Sequence, residues 1–164
     1  MFLDCARGYL TREYRAKLRL ALAALPDDRL WWRPNGGSNS VGNLLLHLNG
    51  NLRQWIVAGV GNGSFERHRA AEFAALEGAS NAELLSVLEQ TVNEVDRILS
   101  GLNPERLTER CVIQDRDVTV LEAVFHATEH FAYHLGQIIL VVKAVGAGSV
   151  DFYDDAGGLA RPRW

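Results

Sequence analysis

Three of the five histidines recur at every fourth position in the stretch His126-Ala-Thr-Glu-His130-Phe-Ala-Tyr-His134. Residues i and i+4 of an α-helix lie on one face about 6 Å apart, so neighbouring members of this set can direct their imidazoles at one point. Such a cluster predicts a divalent metal ion. The first and third histidines are separated by about 12 Å of helix, which is too far for both to bind one ion at about 2.1 Å. At most two of the three therefore ligate the same ion.

A third ligand must come from another part of the chain. His47 is the only other histidine within a strongly apolar segment, Val41-Gly-Asn-Leu-Leu-Leu-His47-Leu-Asn. A structural zinc site is normally closed by four protein ligands, whereas three ligands leave a position for water or a substrate. The alternative is a set of core histidines that only form hydrogen bonds. If a metal binds, His126 is left over from the pair; it then either supports a ligand through a hydrogen bond or forms a rival pair with His130.

Four amphipathic helices are predicted to position these histidines. Apolar residues recur at three- and four-residue steps over residues 3–25, 41–58, 80–100 and 120–145. Asn39 or Ser40 can cap the second helix, and the capping-box spacing marks the starts of the third and fourth. Residues 65–73 are expected to form a charged, irregular connection, and residues 111–119 a small hairpin or extended segment. This order predicts an all-α four-helix bundle with the metal site between the second and fourth helices.

Both histidine-bearing helices carry a polar stripe, which indicates a lined cavity rather than a solvated surface. The stripe of the second helix comprises Asn43, His47, Gly50, Asn51 and Gln54. The stripe of the fourth helix comprises Glu122, His126, Glu129, His130, Tyr133, His134 and Gln137. Glu129 and Tyr133 are candidates for proton transfer, but hydrogen bonding to the histidines is the preferred interpretation.

Length and composition exclude several classes of protein. A chain of 164 residues with 48% hydrophobic content suits one domain over residues 1–164, in which the Gly- and Asp-rich residues 146–164 are expected to form a surface tail. The net charge of −3 and the dispersed arginines argue against a nucleic-acid partner. No apolar run approaches the roughly 20 residues of a membrane span, so we expect a cytoplasmic protein without a membrane partner. Cys5 and Cys111 have no metal-type spacing and are expected to be small, partly buried residues.

Three ordered segments of the chain resemble the DinB superfamily, and more closely an uncharacterised bacterial branch of it. These segments are Trp31-Trp-Arg-Pro34, residues 39–55 around His47, and His130-Phe-Ala-Tyr-His134-Leu-Gly-Gln. The superfamily pattern has one histidine in the second helix and a His-x-x-x-His pair before Gly-Gln in the fourth. The resemblance therefore implies metal binding by His47, His130 and His134 within a DinB-like four-helix bundle. It also implies zinc or nickel as the ion, with iron or manganese as the next choices, and a homodimer.

The resemblance leaves two functional classes open. Relatives include transferases and isomerases that use low-molecular-weight thiols such as bacillithiol, mycothiol or glutathione. One expectation is therefore a metal-dependent enzyme, specifically a thiol-dependent S-transferase acting on a small electrophile, or a hydrolase that uses a metal-bound water. The other is a non-catalytic metal-binding bundle with a role in binding or stress response. Neither Cys5 nor Cys111 lies on a predicted histidine-bearing helix, so any attacking thiol is expected to come from a cosubstrate.

Overall fold

Within the part of the chain that the structure describes, the bundle consists of four long helices and one short one. The computed structural model describes residues 1–145, 149–155 and 160–163. Helix α1 is continuous through Phe2–Gly8, the π-helical stretch Tyr9–Glu13, and Tyr14–Ala23. Helix α2 comprises Val41–Leu52 and the π-helical stretch Arg53–Val60. The short helix α3 and the long helices α4 and α5 span Arg69–Ala74, Asn81–Gly101 and Val120–Ala144. The predicted all-α bundle is confirmed.

Short irregular and extended elements join the helices. Single 3-10 turns cover Asp27–Arg29 and Pro104–Thr108. The described residues include two antiparallel strand pairs. One joins β1 (Arg110–Ile113) to β2 (Arg116–Thr119), and the other joins β3 (Tyr153–Asp154) to β4 (Arg161–Pro162). Within the described residues, the chain has no helix that is both long enough and apolar enough to cross a membrane.

The predicted segment 111–119 forms the β1–β2 hairpin, whose two strands are joined by a turn at Gln114 and Asp115. Both residues have positive φ, +53° and +58°. Two-residue hairpin loops of type I′ require this conformation at both central positions. The turn carries the Gln114 side chain towards α2, where its Oε1 accepts a hydrogen bond from the Trp55 indole N–H at 3.2 Å.

Capping boxes define the starts of three long helices. In each, a hydroxyl accepts a hydrogen bond from the backbone N–H three residues on, in the pairs Ser40 with Asn43, Ser80 with Glu83 and Thr119 with Glu122. Each cap contributes about 1 kcal/mol to helix stability. The start of a helix determines which residues face the core, so the caps help to direct the stripes of α2 and α5.

Helix α2 is the central element, since it contacts α3, α4 and α5. Its apolar side chains are almost fully buried, including Leu44, Leu48, Leu52, Trp55 and Ile56. Its polar residues Asn43, His47 and Asn51 are also buried. A buried polar group without a hydrogen bond is costly. These side chains must therefore find partners on the neighbouring elements.

Three details differ from the expectations. Phe125, an apolar residue of the predicted fourth helix, is 59% exposed, and Cys5 is exposed rather than partly buried. Val150, within the predicted surface tail, is buried against the bundle. The remainder of that tail lies partly outside the described residues.

Candidate metal centre

His47 on α2 and the pair His130 and His134 on α5 converge at one point. One ring nitrogen from each lies within 4.8 Å of those of the other two, and Nε2 of His47 is 3.0 Å from Nε2 of His130. Nitrogen ligands on a tetrahedral zinc ion are about 3.4 Å apart, given bonds of about 2.1 Å. Small side-chain shifts would therefore bring all three nitrogens to bonding distance. Within the described part of the chain, no other group of histidines, cysteines and carboxylates meets this spacing.

Hydrogen bonds orient two of the three imidazoles. Nδ1 of His47 is 2.8 Å from Oε2 of Glu72, and Nδ1 of His134 is 2.8 Å from Oε1 of Gln137. An oxygen acceptor at Nδ1 favours the tautomer with the proton on that nitrogen, which leaves Nε2 free to bind a metal. The Arg67 guanidinium also lies 3.0 Å from Nδ1 of His47. In this tautomer Nδ1 of His47 carries a proton and cannot accept a hydrogen bond from Arg67. Its hydrogen-bond partner is therefore the Glu72 carboxylate.

Glu72 and Arg67 form a buried ion pair behind His47. The Arg67 Nε and one terminal nitrogen contact the two carboxylate oxygens at 2.7 and 2.8 Å, and a second terminal nitrogen donates to Gln54 at 2.9 Å. The two side chains are only 4% and 11% exposed. Burial would raise the pKa of Glu72, but the hydrogen bonds from Arg67 and His47 outweigh it and hold that pKa below its ordinary value. Glu72 is therefore a carboxylate at neutral pH.

Gly50 makes room for this ion pair. A Cβ at this position would overlap Oε1 of Glu72 and lie 3.0 Å from Nε of Arg67. The glycine lies three residues after His47 on α2. Its lack of a side chain allows Glu72 to approach the helix closely enough to reach the imidazole.

The buried amide of Asn43 and the side chain of Arg33 hold α3 against α2. Nδ2 of Asn43 donates to the carbonyls of Glu72 and Ala75 at 2.9 and 2.8 Å. Arg33 donates to the carbonyls of Phe73 and Ala75 at 2.9 and 2.8 Å. These bonds satisfy carbonyls at the end of a helix too short to be stable by itself. They keep Glu72 facing His47.

Burial keeps the α5 histidines neutral. Burial lowers the pKa of His130 to about 3, with further contributions from the neighbouring histidines, of which His134 is the largest. The pKa of His134 is lowered chiefly by burial, against the opposing effect of its hydrogen bond to Gln137. The neutral imidazole is the form that binds a metal. Both side chains are therefore in the metal-binding form at neutral pH.

His126 lies one helical turn from His130 and outside the group of three. Its Nε2 is 3.4 Å from Nδ2 of Asn51, and its ring packs 4.1 Å from the Trp55 ring and 5.2 Å from the His130 ring. Burial lowers its pKa. The structure places it beside an amide and an indole, while its role towards a metal stays a prediction.

Glu129 and Tyr133, the two candidates for proton transfer, are both exposed. Oε1 of Glu129 is 3.9 Å from Nδ1 of His126, at the limit of an ion pair. The Tyr133 ring is 5.1 Å from the His134 ring and lines the cavity in front of the histidines. Tyr133 is thus closer to the histidine trio, whereas Glu129 faces the outer side of α5.

The three histidines line a cavity of about 570 Å³ that opens to the surface. Its walls are mainly polar, with amide side chains from Asn39, Asn51, Gln114 and Gln137. Arg67, Arg69 and the ring of Phe73 complete the side formed by α3 and the segment before it. The arrangement can admit a small polar molecule to the nitrogen atoms that would hold an ion.

The expectation of an irregular connection over residues 65–73 was wrong for residues 69–73, which are part of the helix α3. The irregular part supplies Arg67, and the helix carries Arg69 and Glu72. These charged residues have no apolar periodicity, so nothing in the pattern distinguished them from a solvated loop. The signal that was present is indirect: a glycine within the polar stripe of α2 requires a close neighbour. His68, in the same segment, is exposed.

Fold and site together define the class, a DinB-like helical bundle with a histidine trio that could hold a metal ion. The DinB-like protein YjoA of Bacillus subtilis superposes with a TM-score of 0.68 at 19% identity, covering 91% of this chain and 97% of that one. A DinB-like protein of Bacillus cereus superposes with a TM-score of 0.71 at 18% identity, covering 92% and 93%. The predicted resemblance is confirmed at the level of the fold.

Residues 1–152 match the DUF1572 family, described as a protein of unknown function, and the chain belongs to this family. No curated protein matches the sequence. Function must therefore be argued from the site.

Proposed function

We propose that this chain is a divalent-metal-dependent enzyme that uses a low-molecular-weight thiol to attack a small electrophile. The observation that carries the proposal is the convergence of His47, His130 and His134 on the wall of an open, polar cavity. Three histidines without a fourth protein ligand are typical of catalytic rather than structural zinc sites. Zinc or nickel is the proposed ion, because imidazole nitrogens suit both metals.

The surroundings of the trio support an open coordination position. Glu72 is already engaged by Arg67 and His47, and it lies on the Nδ1 side of the imidazole, away from Nε2. Among the described residues that line the cavity there is no aspartate, glutamate or cysteine. The position would therefore be taken by solvent or by a small molecule. A bound divalent ion would supply a Lewis acid that lowers the pKa of a thiol.

The protein supplies no sulfur nucleophile at this site. Cys5 is exposed on α1, and burial raises the pKa of the Cys111 thiol on β1, which makes it less reactive. In the proposed reaction the sulfur of an external thiol forms a bond to the electrophilic carbon. The leaving group departs with its electron pair, and the thiol proton passes to solvent. The proposed tasks of the protein are to hold, orient and desolvate the reactants.

The first test is metal binding with matched histidine variants. One equivalent of zinc or cobalt per chain is expected for the native protein and for His68→Ala, because His68 is an exposed histidine outside the trio. His47→Ala should lose the ion, since two histidines on one helix remain. Full occupancy in His47→Ala would remove the proposed site.

The second test distinguishes an enzyme from a binder. Cobalt-loaded protein is titrated with bacillithiol, mycothiol and glutathione, and sulfur coordination is followed through its intense charge-transfer absorption. Consumption of a chloronitrobenzene is then measured with and without metal. The proposal expects a spectral change and a metal-dependent rate above that of the free thiol. An unchanged spectrum at saturating thiol would reject thiol transfer and favour a binding role or hydrolysis.

A further inference from the structure

The charge around the cavity is one-sided. Two arginines line it, and no described lining residue is acidic. The charge of Arg67 is compensated by Glu72, with which it makes two short contacts. Arg69 forms no salt bridge with any described residue, and its guanidinium lies over the ring of Phe73. A cleft lined by one sign of charge concentrates ligands of the opposite sign.

Arg69 is held close to the histidine trio. Its guanidinium carbon lies 4.9 Å from the centre of the Phe73 ring, and that ring lies 4.6 Å from the ring of His47. A single aromatic side chain thus separates the cation from a candidate ligand.

The position of Phe73 adds to this arrangement. A cation over an aromatic face is attracted by the negative charge density of the ring, which restricts the orientations of the guanidinium. A guanidinium presents paired donors that match the two oxygens of a carboxylate. Arg69 is therefore a partly oriented anion receptor at the rim of the cavity.

We propose that the small molecule bound at this site carries a carboxylate, which Arg69 binds while another part of the molecule reaches the histidine trio. This inference rests on the proposed function, because it assigns a ligand class to the same cavity. Three neutral histidines would leave the two positive charges of a divalent ion uncompensated, and Arg69 adds a third. A thiolate and a carboxylate in one molecule would offset most of this charge.

The test compares two thiols that share a skeleton, 3-mercaptopropionate and 3-mercaptopropionamide, on cobalt-loaded protein. The native protein is expected to bind the carboxylate about tenfold more tightly, the scale of a charge-assisted hydrogen bond near a surface. Arg69→Gln should abolish this preference and leave the affinity for the amide unchanged. The ratio of the two affinities, compared between variants, cancels the intrinsic difference between the two thiols.

Arg53→Gln is the matched control. The Arg53 guanidinium also lies over a phenylalanine, 5.2 Å from the Phe65 ring, but it is paired with Glu94 and does not line the cavity. Arg53→Gln removes one positive charge and one cation–aromatic contact outside the cavity, so the preference for the carboxylate should persist. A carboxylate preference that is as large in Arg69→Gln as in the native protein, or that falls equally in both variants, would overturn the role of Arg69.

A separate measurement keeps this inference distinct from thiol use. If neither thiol alters the cobalt spectrum, thiol chemistry is rejected, and zinc-loaded protein is titrated calorimetrically with propionate and propionamide. A preference for propionate that Arg69→Gln removes would support carboxylate recognition alone. Equal binding, or none, would overturn it.

Discussion

The ion pair behind His47 makes a quantitative prediction through Glu72→Gln. This change preserves the shape of the side chain but replaces one carboxylate oxygen with an NH₂ group. The native carboxylate receives the His47 Nδ1–H at 2.8 Å and two Arg67 N–H groups at 2.7 and 2.8 Å. In the variant, the NH₂ group must face one of these donors. At least one hydrogen bond is lost, and the positive charge of Arg67 is no longer compensated by Glu72.

Two effects of different size should follow. Loss of the partner that orients a ligating histidine typically weakens metal binding by about 10- to 100-fold, which is about 1.4–2.7 kcal/mol. Removing one member of a buried ion pair costs about 3–5 kcal/mol of folding stability. Glu72 retains 11% side-chain exposure, and Gln54 still accepts a hydrogen bond from Arg67, so we expect about 2–3 kcal/mol here.

Zinc affinity is measured by competition with a chromophoric chelator, and the free energy of unfolding of the metal-free protein by urea denaturation. Glu94→Gln serves as the control, because Glu94 lies 3.6 Å from Arg53 in a surface pair. It should retain native zinc affinity and change the unfolding free energy by less than about 0.5 kcal/mol. If Glu72→Gln bound zinc as tightly as the native protein, Glu72 would not orient His47, and the argument from its geometry would be wrong.

Three further predictions concern single side chains. Gly50→Ala should weaken zinc binding as Glu72→Gln does, because the added Cβ would displace the Glu72 carboxylate. Gly136→Ala is its control, since Gly136 has open space around it. In the same assays this variant should raise the unfolding free energy by about 0.5–1 kcal/mol and leave zinc binding unchanged. His126→Ala should retain one equivalent of metal in elemental analysis, since its imidazole lies outside the trio; metal loss equal to that of His130→Ala would restore the rival pair. Glu89→Gln should lower the free energy of unfolding at pH 7 by about 0.5–1 kcal/mol, because the hydrogen bond from Arg19 lowers the pKa of Glu89 in the folded state. This contribution is complete above the unfolded pKa, near 4.3, and is lost as the pH falls through the folded value, so the gap in melting temperature should close in acid; a gap independent of pH would refute the assignment.

The helices were predictable because their determinants are local. Apolar periodicity and the capping boxes at Ser80 and Thr119 place α4 and α5 within one residue of their observed bounds. The four-residue spacing of His130 and His134 predicts that they share a face of α5, since the helix is rigid over one turn. The same reasoning limits a shared ion to two of the three α5 histidines, and His126 lies outside the group of three that converges in the structure.

Residue type alone overstates burial on α5. Phe125 is strongly apolar, yet the residues on its side of the helix one turn away are Glu122 and Glu129, and it is 59% exposed. A hydrophobic pattern shows which residues can be buried. It does not show how far the neighbouring helices extend over them.

The candidate site divides in the same way between sequence and tertiary structure. The sequence by itself determined the imidazoles and the helices that carry them, because residue type and helical spacing are sufficient for that. Only the tertiary structure decided that His130 and His134 face His47, and that Glu72 and Arg67 lie behind it. Those contacts join residues up to 87 positions apart in the chain, between His47 and His134, through packing that no local pattern encodes. Buried charges in particular have no hydrophobic signature, because their partners, and not their own polarity, make burial tolerable.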